Sequence, residues 1–182
     1  MRVFLGVKVP DHLRRELTAR LDGLPARPRL RWVDPSCWHL TLQFLGQWPP
    51  ERCKALEDRL LALGRHPAFD LEMGPVGQFP ARGPLRVLYL QVDGGTKLLA
   101  LTRSIRAEVD AAWPAGPQDR KPFRPHLTLA RGARPAVAVD LPRIGEDPPL
   151  PSWRMDGFSL FSSDLTPGGP IYREETFFAL RK

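Results

Sequence analysis

The four residues HLTL occur twice in the chain, at 39–42 and again at 126–129. Side chains alternate between the two faces of a β-strand, so a residue and the next but one point the same way. His39 and Thr41 therefore share one face of a strand, and His126 and Thr128 share one face of another, while the leucines point to the opposite side. The repeat predicts two strands that bury leucines in a core and each present an imidazole beside a hydroxyl.

A similar succession of elements precedes each copy, because hydrophobic periodicity predicts a strand and then a helix before each HLTL strand. The first half has a strand at 3–9, a helix at 11–24 begun by Asp11 as a cap, and a strand at 37–46; the second half has a strand at 85–92, a helix at 98–112 and a strand at 123–131. This order favours an α+β fold, namely a bilobal duplicated fold in which two antiparallel sheets line a central cleft with the helices on the outside. We expect a single domain over residues 1–182, made of two pseudo-symmetric lobes.

The remaining segments complete this plan. Pro49 and Pro50 open a further helix that Gly64 ends. Short strands are expected at 30–33 and 69–73, a surface excursion at 132–151, and a terminal hairpin of residues 153–163 with residues 172–180, joined by a turn at 167–169.

Composition is that of a globular protein, with 42% hydrophobic and 26% charged residues. No run of 18 apolar residues is present, which excludes a membrane-spanning helix, and the first ten residues lack the features of a signal peptide. Cys37 and Cys53 form no zinc or disulfide framework, so we expect a cytoplasmic protein. The net charge of +7 favours an anionic partner, although the excess of arginine also reflects compositional bias.

Two imidazoles that face one cleft suit displacement at phosphorus. Such a reaction needs a base for the nucleophile and an acid for the leaving oxygen. Histidine titrates near neutral pH, so one copy can be neutral while the other is protonated. The hydroxyls of Thr41 and Thr128 can donate hydrogen bonds to phosphoryl oxygens. A single histidine on a strand is more often structural than catalytic, but the repeated pattern favours function; His12 and His66 lack it and are predicted to lie at the surface.

The chain resembles the 2H phosphoesterases, and within them the RNA 2′,3′-cyclic phosphodiesterases, also called LigT or 2′-5′ RNA ligase-like proteins. The residues that carry the resemblance are the start FLGVKVP, then RWVDPSCWHLTLQFLG, PLRVLYLQV and KPFRPHLTLAR, and the closing FSLFSSDLTPGGPIYRE. The resemblance implies metal-independent hydrolysis of RNA 2′,3′-cyclic phosphate ends to 2′-phosphomonoesters, with RNA ends or small cyclic nucleotides as partners and with no cofactor. A monomer is expected by default.

The resemblance also implies roles for individual residues. His126 would be the general base that activates water, and His39 the general acid that protonates the departing 3′ oxygen. Thr41 and Thr128 would hold phosphate oxygens, and Arg131 would add a charge-assisted contact. Strict alternation turns Arg131 away from the face of His126, unless the strand ends or bulges before it.

The sequence also offers two candidate base-binding residues and three alternative functions. Phe44 and Phe79 could stack on a base, although packing in the core is the favoured interpretation for both. The alternatives are 2′-5′ RNA ligase or 2′-5′ phosphodiesterase activity on related RNA substrates, a non-catalytic RNA-end binder, and a metal site built on Cys37 and His39. The last lacks an evident set of further ligands, so no metal is expected.

Overall fold

Nine strands and three helices make up the described part of the chain. The computed structural model describes residues 2–24, 29–116, 121–132, 144, 148–167 and 169–182. The strands are β1 Arg2–Lys8, β2 Arg31–Trp32, β3 His39–Gln47, β4 Phe69–Phe79, β5 Val87–Asp93, β6 His126–Arg131, β7 Trp153–Met155, β8 Gly157–Thr166 and β9 Gly169–Ala179; the helices are α1 Asp11–Asp22, α2 Cys53–Leu61 and α3 Gly95–Ala112.

The strands join into one curled antiparallel sheet in the order β7-β4-β5-β6-β3-β1-β8-β9, and β2 is added on β6. The sheet has two halves. We call β7, β4, β5 and β6 the His126 half, and β3, β1, β8 and β9 the His39 half. The two halves meet where Leu40 of β3 pairs with Leu127 of β6. The predicted α+β fold with antiparallel sheets is thus confirmed, and its two sheets are continuous through this narrow junction. That the whole chain is one domain of two pseudo-symmetric lobes stays a prediction.

Strand β1 lies in the middle of the His39 half, between β3 and β8. Its five inner residues, VFLGV, are all buried, as a strand covered on both faces requires. Val3, Leu5 and Val7 belong to the main core. Phe4 and Phe161 are 3% and 2% exposed and yet lie outside that core, because they form a second apolar layer on the opposite face of the sheet.

The helices pack on the core through leucine stripes of helical spacing. Leu13, Leu17 and Leu21 of α1 are buried. Helix α3 packs against α2 and β3, and α2 also packs against β9. The predicted cap at Asp11 was wrong: Pro10 occupies the cap position without a side-chain hydrogen bond, and Asp11 lies in the first turn of the helix. No helix of the described residues is long and apolar enough to cross a membrane.

Several predicted boundaries differ from the structure, and three of them matter for the site or the topology. Residues 153–155 do not belong to the terminal hairpin, because β7 pairs with β4 in the other half of the sheet and the hairpin consists of β8 and β9 alone. The HLTL strand begins at His39, after a 3₁₀ turn at Pro35–Cys37 that the Asp34 side chain caps. Strand β4 extends to Phe79 rather than ending at residue 73. Most of the predicted excursion, residues 133–143 and 145–147, lies outside the described residues, as does Gly168.

Candidate active site

The junction between the two halves of the sheet brings the two HLTL copies together. Leu40 and Leu127 are directly opposite each other, and each is the residue that follows a motif histidine. An antiparallel pair has a local two-fold axis between its partners, so this axis relates His39 to His126 and Thr41 to Thr128. Both leucines are fully buried. The predicted alternation therefore holds in both copies, and both imidazoles lie on the face of the sheet away from the main core.

An equivalent hydrogen bond fixes each histidine, from Nδ1 of the ring to the backbone carbonyl two residues before it. His39 Nδ1 lies 2.7 Å from the carbonyl oxygen of Cys37, and His126 Nδ1 lies 2.6 Å from that of Arg124. A carbonyl oxygen only accepts hydrogen bonds, so Nδ1 carries the proton in both rings. The proton that comes and goes is then the one on Nε2. Each Nε2 can act as a base in the neutral ring or as an acid in the protonated ring.

Each imidazole also contacts one phenylalanine and one tyrosine. The ring of His39 lies 4.7 Å from that of Phe4 and 5.0 Å from that of Tyr172. The ring of His126 lies 5.2 Å from that of Phe79 and 5.4 Å from that of Tyr89. These contacts restrict the rotation of both imidazoles and remove much of their surface from water.

Burial lowers the pKa of both histidines below its ordinary value. For His39 the burial is opposed by the hydrogen bond to Cys37, and the positive charges of His126 and Arg131 lower the pKa further. For His126 burial again dominates, the hydrogen bond to Arg124 opposes it, and the charge of Arg131 lowers the pKa. The same positive charge of Arg131 thus acts on the pKa of both imidazoles.

A bulge in each motif strand turns the residue five positions after the histidine onto the face of the cleft. Strict alternation would have turned that residue to the opposite face. In β6, Thr128 pairs with Tyr89 and Ala130 pairs with Leu88, so Leu129 is an extra residue in that strand. Leu129 and Ala130 are both fully buried, and Arg131 returns to the exposed face. A bulge before Arg131 is required for this side chain to share the face of His126, and the strand contains one.

Strand β3 bulges at the equivalent position. Thr41 pairs with Gly6 and Gln43 with Leu5, so Leu42 is the extra residue. Leu42 and Gln43 are both buried and both face α3. Phe44 therefore returns to the cleft face, where it is 52% exposed. Core packing, the interpretation favoured for Phe44 and Phe79, was wrong: Phe44 is exposed, and Phe79 is half-buried against His126.

The two threonines occupy equivalent places beside the histidines. Both are half-buried. Thr41 pairs with Gly6 on β1, and Thr128 pairs with Tyr89 on β5. Their hydroxyls lie on the histidine side of strands whose leucines are in the core, so they are available as hydrogen-bond donors to a group bound between the imidazoles.

Positive charge is concentrated near Arg131. Arg31 of β2 lies directly opposite Arg131 in the sheet, and both are exposed. Like charges in a directly opposed pair destabilise a sheet. An anion bound at this position would offset the repulsion, so the pair favours an anionic ligand.

Sequence reasoning missed Phe4, Tyr89 and Tyr172 as neighbours of the histidines. Tyr172 comes from the terminal hairpin, whose far end reaches the start of β3: Cys37 Sγ lies 3.6 Å from the carbonyl oxygen of Pro170. Burial raises the pKa of Tyr172, and the charge of Cys37 raises it further, whereas that of Arg131 lowers it. The only signal in the sequence was that Tyr172 stands in the closing stretch that carries the family resemblance.

The described residues contain no group of three His, Cys, Asp or Glu side chains that could hold a metal ion. The proposed metal pair of Cys37 and His39 thus finds no further ligand there. His39 instead uses the backbone carbonyl of Cys37 to fix its ring.

A cavity of about 620 Å³ adjoins Phe79 and Tyr89, the two rings that contact His126. Both rings form part of its wall, as does Arg124. Glu72 and Asp93 also line it. Its size is that of a site for a small organic molecule, and its carboxylates disfavour a phosphate group.

Comparison with known proteins gives the same family by sequence and by structure. Residues 9–167 match the model of the 2′-5′ RNA ligase superfamily. A protein named RNA 2′,3′-cyclic phosphodiesterase from Thermus thermophilus is 35% identical, with 100% of this chain and 91% of the relative covered. One of the same name from Archaeoglobus fulgidus is 32% identical, with 98% of this chain and 99% of the relative covered.

The matches to two solved structures cover 100% of this chain and 98% of the chain in each structure. A crystal structure of a Thermus thermophilus protein superposes with a TM-score of 0.85 at 33% identity. The crystal structure of E. coli LigT complexed with 3′-AMP superposes with a TM-score of 0.85 at 27% identity.

Proposed function

The chain belongs to the 2′-5′ RNA ligase superfamily, and we propose that it hydrolyses 2′,3′-cyclic phosphates, at RNA ends or on small cyclic nucleotides, to 2′-phosphomonoesters without a metal ion. The relatives named RNA 2′,3′-cyclic phosphodiesterase support this substrate class. The observation that carries the proposal is the matched pair of Nδ1 hydrogen bonds, because it leaves both Nε2 atoms for acid–base chemistry in one cleft.

His126 acts as the general base and His39 as the general acid. Neutral His126 takes a proton from water at Nε2 while the water oxygen bonds to phosphorus. The bond from phosphorus to the 3′ oxygen breaks on the opposite side, and protonated His39 gives its Nε2 proton to that oxygen. The product is a 2′-phosphomonoester with a free 3′ hydroxyl. The two histidines have then exchanged protonation states, and proton exchange with solvent restores them.

Thr41, Thr128 and Arg131 stabilise the charge on the phosphoryl group. Negative charge grows on the non-bridging oxygens as water attacks, and donors already in position stabilise it at no cost of reorganisation. The two hydroxyls donate hydrogen bonds, and the guanidinium of Arg131 adds a charge-assisted contact. Together they supply the electrophilic assistance that a metal ion would otherwise give.

A second reaction follows if a nucleoside hydroxyl replaces water. The cavity adjoins the two rings that contact His126, the general base for the entering nucleophile, and its volume and aromatic wall suit a nucleoside. A hydroxyl presented from that cavity would attack the same phosphorus and form a linear phosphodiester. This observation favours 2′-5′ joining, or its reversal, as the second candidate activity.

The test is to incubate the purified protein, with EDTA present, with an RNA oligomer that ends in a 2′,3′-cyclic phosphate. The terminal phosphate is identified by phosphatase sensitivity and by chromatography against 2′- and 3′-phosphate standards. We expect a 2′-phosphate at a rate unchanged by the chelator. A 3′-phosphate would contradict the assignment of the leaving oxygen, and binding without any product would identify a non-catalytic RNA-end binder.

A further inference from the structure

The two bulges place different residues at equivalent positions of the cleft. Phe44 follows His39 by five positions, and Arg131 follows His126 by five. In each strand the fourth residue of HLTL is the extra one, Leu42 in β3 and Leu129 in β6. The same local device therefore turns a phenylalanine into the cleft on one side and an arginine on the other. The pair of motifs is symmetric in backbone and asymmetric in chemistry.

Phe44 rests on a layer of buried aromatic rings. Its ring lies 6.0 Å from that of Phe4. Phe4 stacks on Phe161 at 5.1 Å and lies 4.7 Å from the ring of His39. The Phe4 ring thus lies between the ring of Phe44 and the imidazole of His39 and contacts both. A ring held from below and 52% exposed offers a firm apolar surface towards the cleft.

Exposure alone does not mark a site, since single exposed apolar residues are common on protein surfaces. Phe177 on β9 is 51% exposed and, among the described residues, contacts no ring of the histidine pair. What separates Phe44 from Phe177 is its place on the cleft face of the motif strand, next to the ring that packs on His39.

The direction of the proposed reaction determines which half of the cleft receives the nucleoside. In-line displacement puts the entering water beside His126 and the leaving 3′ oxygen beside His39. The 3′ oxygen belongs to the ribose, so the ribose and its base lie on the His39 side. The base is planar and uncharged, and Phe44 is the exposed aromatic ring of the motif strand on that side.

We propose that Phe44 is the stacking surface for the nucleobase of the nucleotide that carries the cyclic phosphate, while Arg131 at the equivalent position holds the phosphate. This inference rests on the proposed function. Every base has a π face, so stacking confers affinity with little discrimination among the four bases. The cleft divides recognition between its halves, with the base bound on the His39 side and the phosphate charge bound from the His126 side.

The experiment compares two substrates that differ only in the base. One is adenosine 2′,3′-cyclic phosphate, and the other is 1-O-methylribose 2,3-cyclic phosphate, which keeps the ribose and the cyclic phosphate. The variants are Phe44→Leu, which removes the ring and keeps apolar bulk, and Phe44→Tyr, which keeps the ring. Phe177→Leu is the matched control. Thermal unfolding checks that each variant is folded.

We expect Phe44→Leu to lower kcat/KM for the adenosine substrate about tenfold, within the range for loss of one stacked base, and to leave kcat/KM for the base-free substrate unchanged. Phe44→Tyr and Phe177→Leu should match the wild type on both. An equal loss on the two substrates would overturn the inference, because it would assign Phe44 to the support of Phe4 and His39. No loss on either would overturn it as well. A wild type that hydrolyses neither these substrates nor the RNA oligomer with a cyclic phosphate end would instead refute the proposed function, and the inference with it.

Discussion

Leu40 lies directly opposite Leu127 at the one pair through which β3 and β6 join. This relationship converts a repeat in the sequence into a site in space, because each leucine follows a motif histidine. If the register slipped by a single residue, every side chain of one strand would turn to the other face. One imidazole would then enter the core and the acid–base pair would be lost. The two buried leucines set the register, and the register brings the histidines together.

The pH dependence of hydrolysis should reflect the lowered pKa of both histidines. The reaction needs one imidazole protonated and one neutral, so kcat/KM, which reports the free protein, should be bell-shaped. Since both pKa values fall below the ordinary value of about 6.5, its alkaline limb should lie below that pH. A bound phosphate anion stabilises the protonated rings, so the limb for kcat should lie at higher pH. Initial rates from pH 4 to 9 test both statements, and a flat profile between pH 5 and 9 would contradict catalysis by two histidines.

Two substitutions of Arg131 should separate the effect of its positive charge from that of its planar guanidinium group. Arg131→Gln removes the positive charge that lowers the pKa of both histidines. Both pKa values should therefore rise, and the kcat/KM profile should move to higher pH. Its maximum should fall by about 10- to 100-fold, as expected for loss of a charged hydrogen bond.

Arg131→Lys is the companion variant. It keeps the charge and so should keep the pH profile of the wild type, while losing activity because lysine lacks the planar fork of arginine. An unchanged maximum in both variants would remove Arg131 from the site.

Gly6 should be sensitive to the addition of a single methyl group. A Cβ at this position would lie 2.8 Å from the carbonyl oxygen of Leu40 and 3.2 Å from the Phe4 ring. Gly6→Ala should therefore displace the ring that packs on His39. It should lower the free energy of unfolding by about 1–3 kcal/mol and lower kcat as well.

Gly23→Ala is the matched control for this variant. Its Cβ would meet nothing closer than 3.5 Å, and φ is −76°, so stability and kcat should stay near those of the wild type. Equal behaviour of the two variants in urea unfolding and in activity would contradict the role of Gly6.

The sequence predicted local features of the site better than distant ones. Alternation placed His39 with Thr41 and the leucines opposite, because both facts depend on adjacent residues. Alternation could not predict which face Arg131 and Phe44 lie on, because nothing in HLTLAR or HLTLQF marks a bulge. The bulges arise from the pairing of β6 with β5 and of β3 with β1. Tyr172 was missed because it comes from a hairpin more than a hundred residues away. Trp153–Met155 was assigned to that hairpin because sequence proximity does not reveal that a three-residue strand pairs with β4.

A change of leaving group tests most directly whether His39 and His126 act as opposed acid and base. Sulfur in place of the bridging 3′ oxygen gives a leaving thiolate that needs no proton, so the acid becomes dispensable. His39→Ala should be severely impaired on the oxygen substrate, by about 10²–10⁴-fold, and nearly restored on the sulfur substrate.

His126→Ala should be impaired equally on both substrates, while His12→Ala, exposed on α1, should match the wild type throughout. Equal impairment of His39→Ala on both substrates, or restoration of His126→Ala by sulfur, would contradict the assignment of His39 as the acid and His126 as the base.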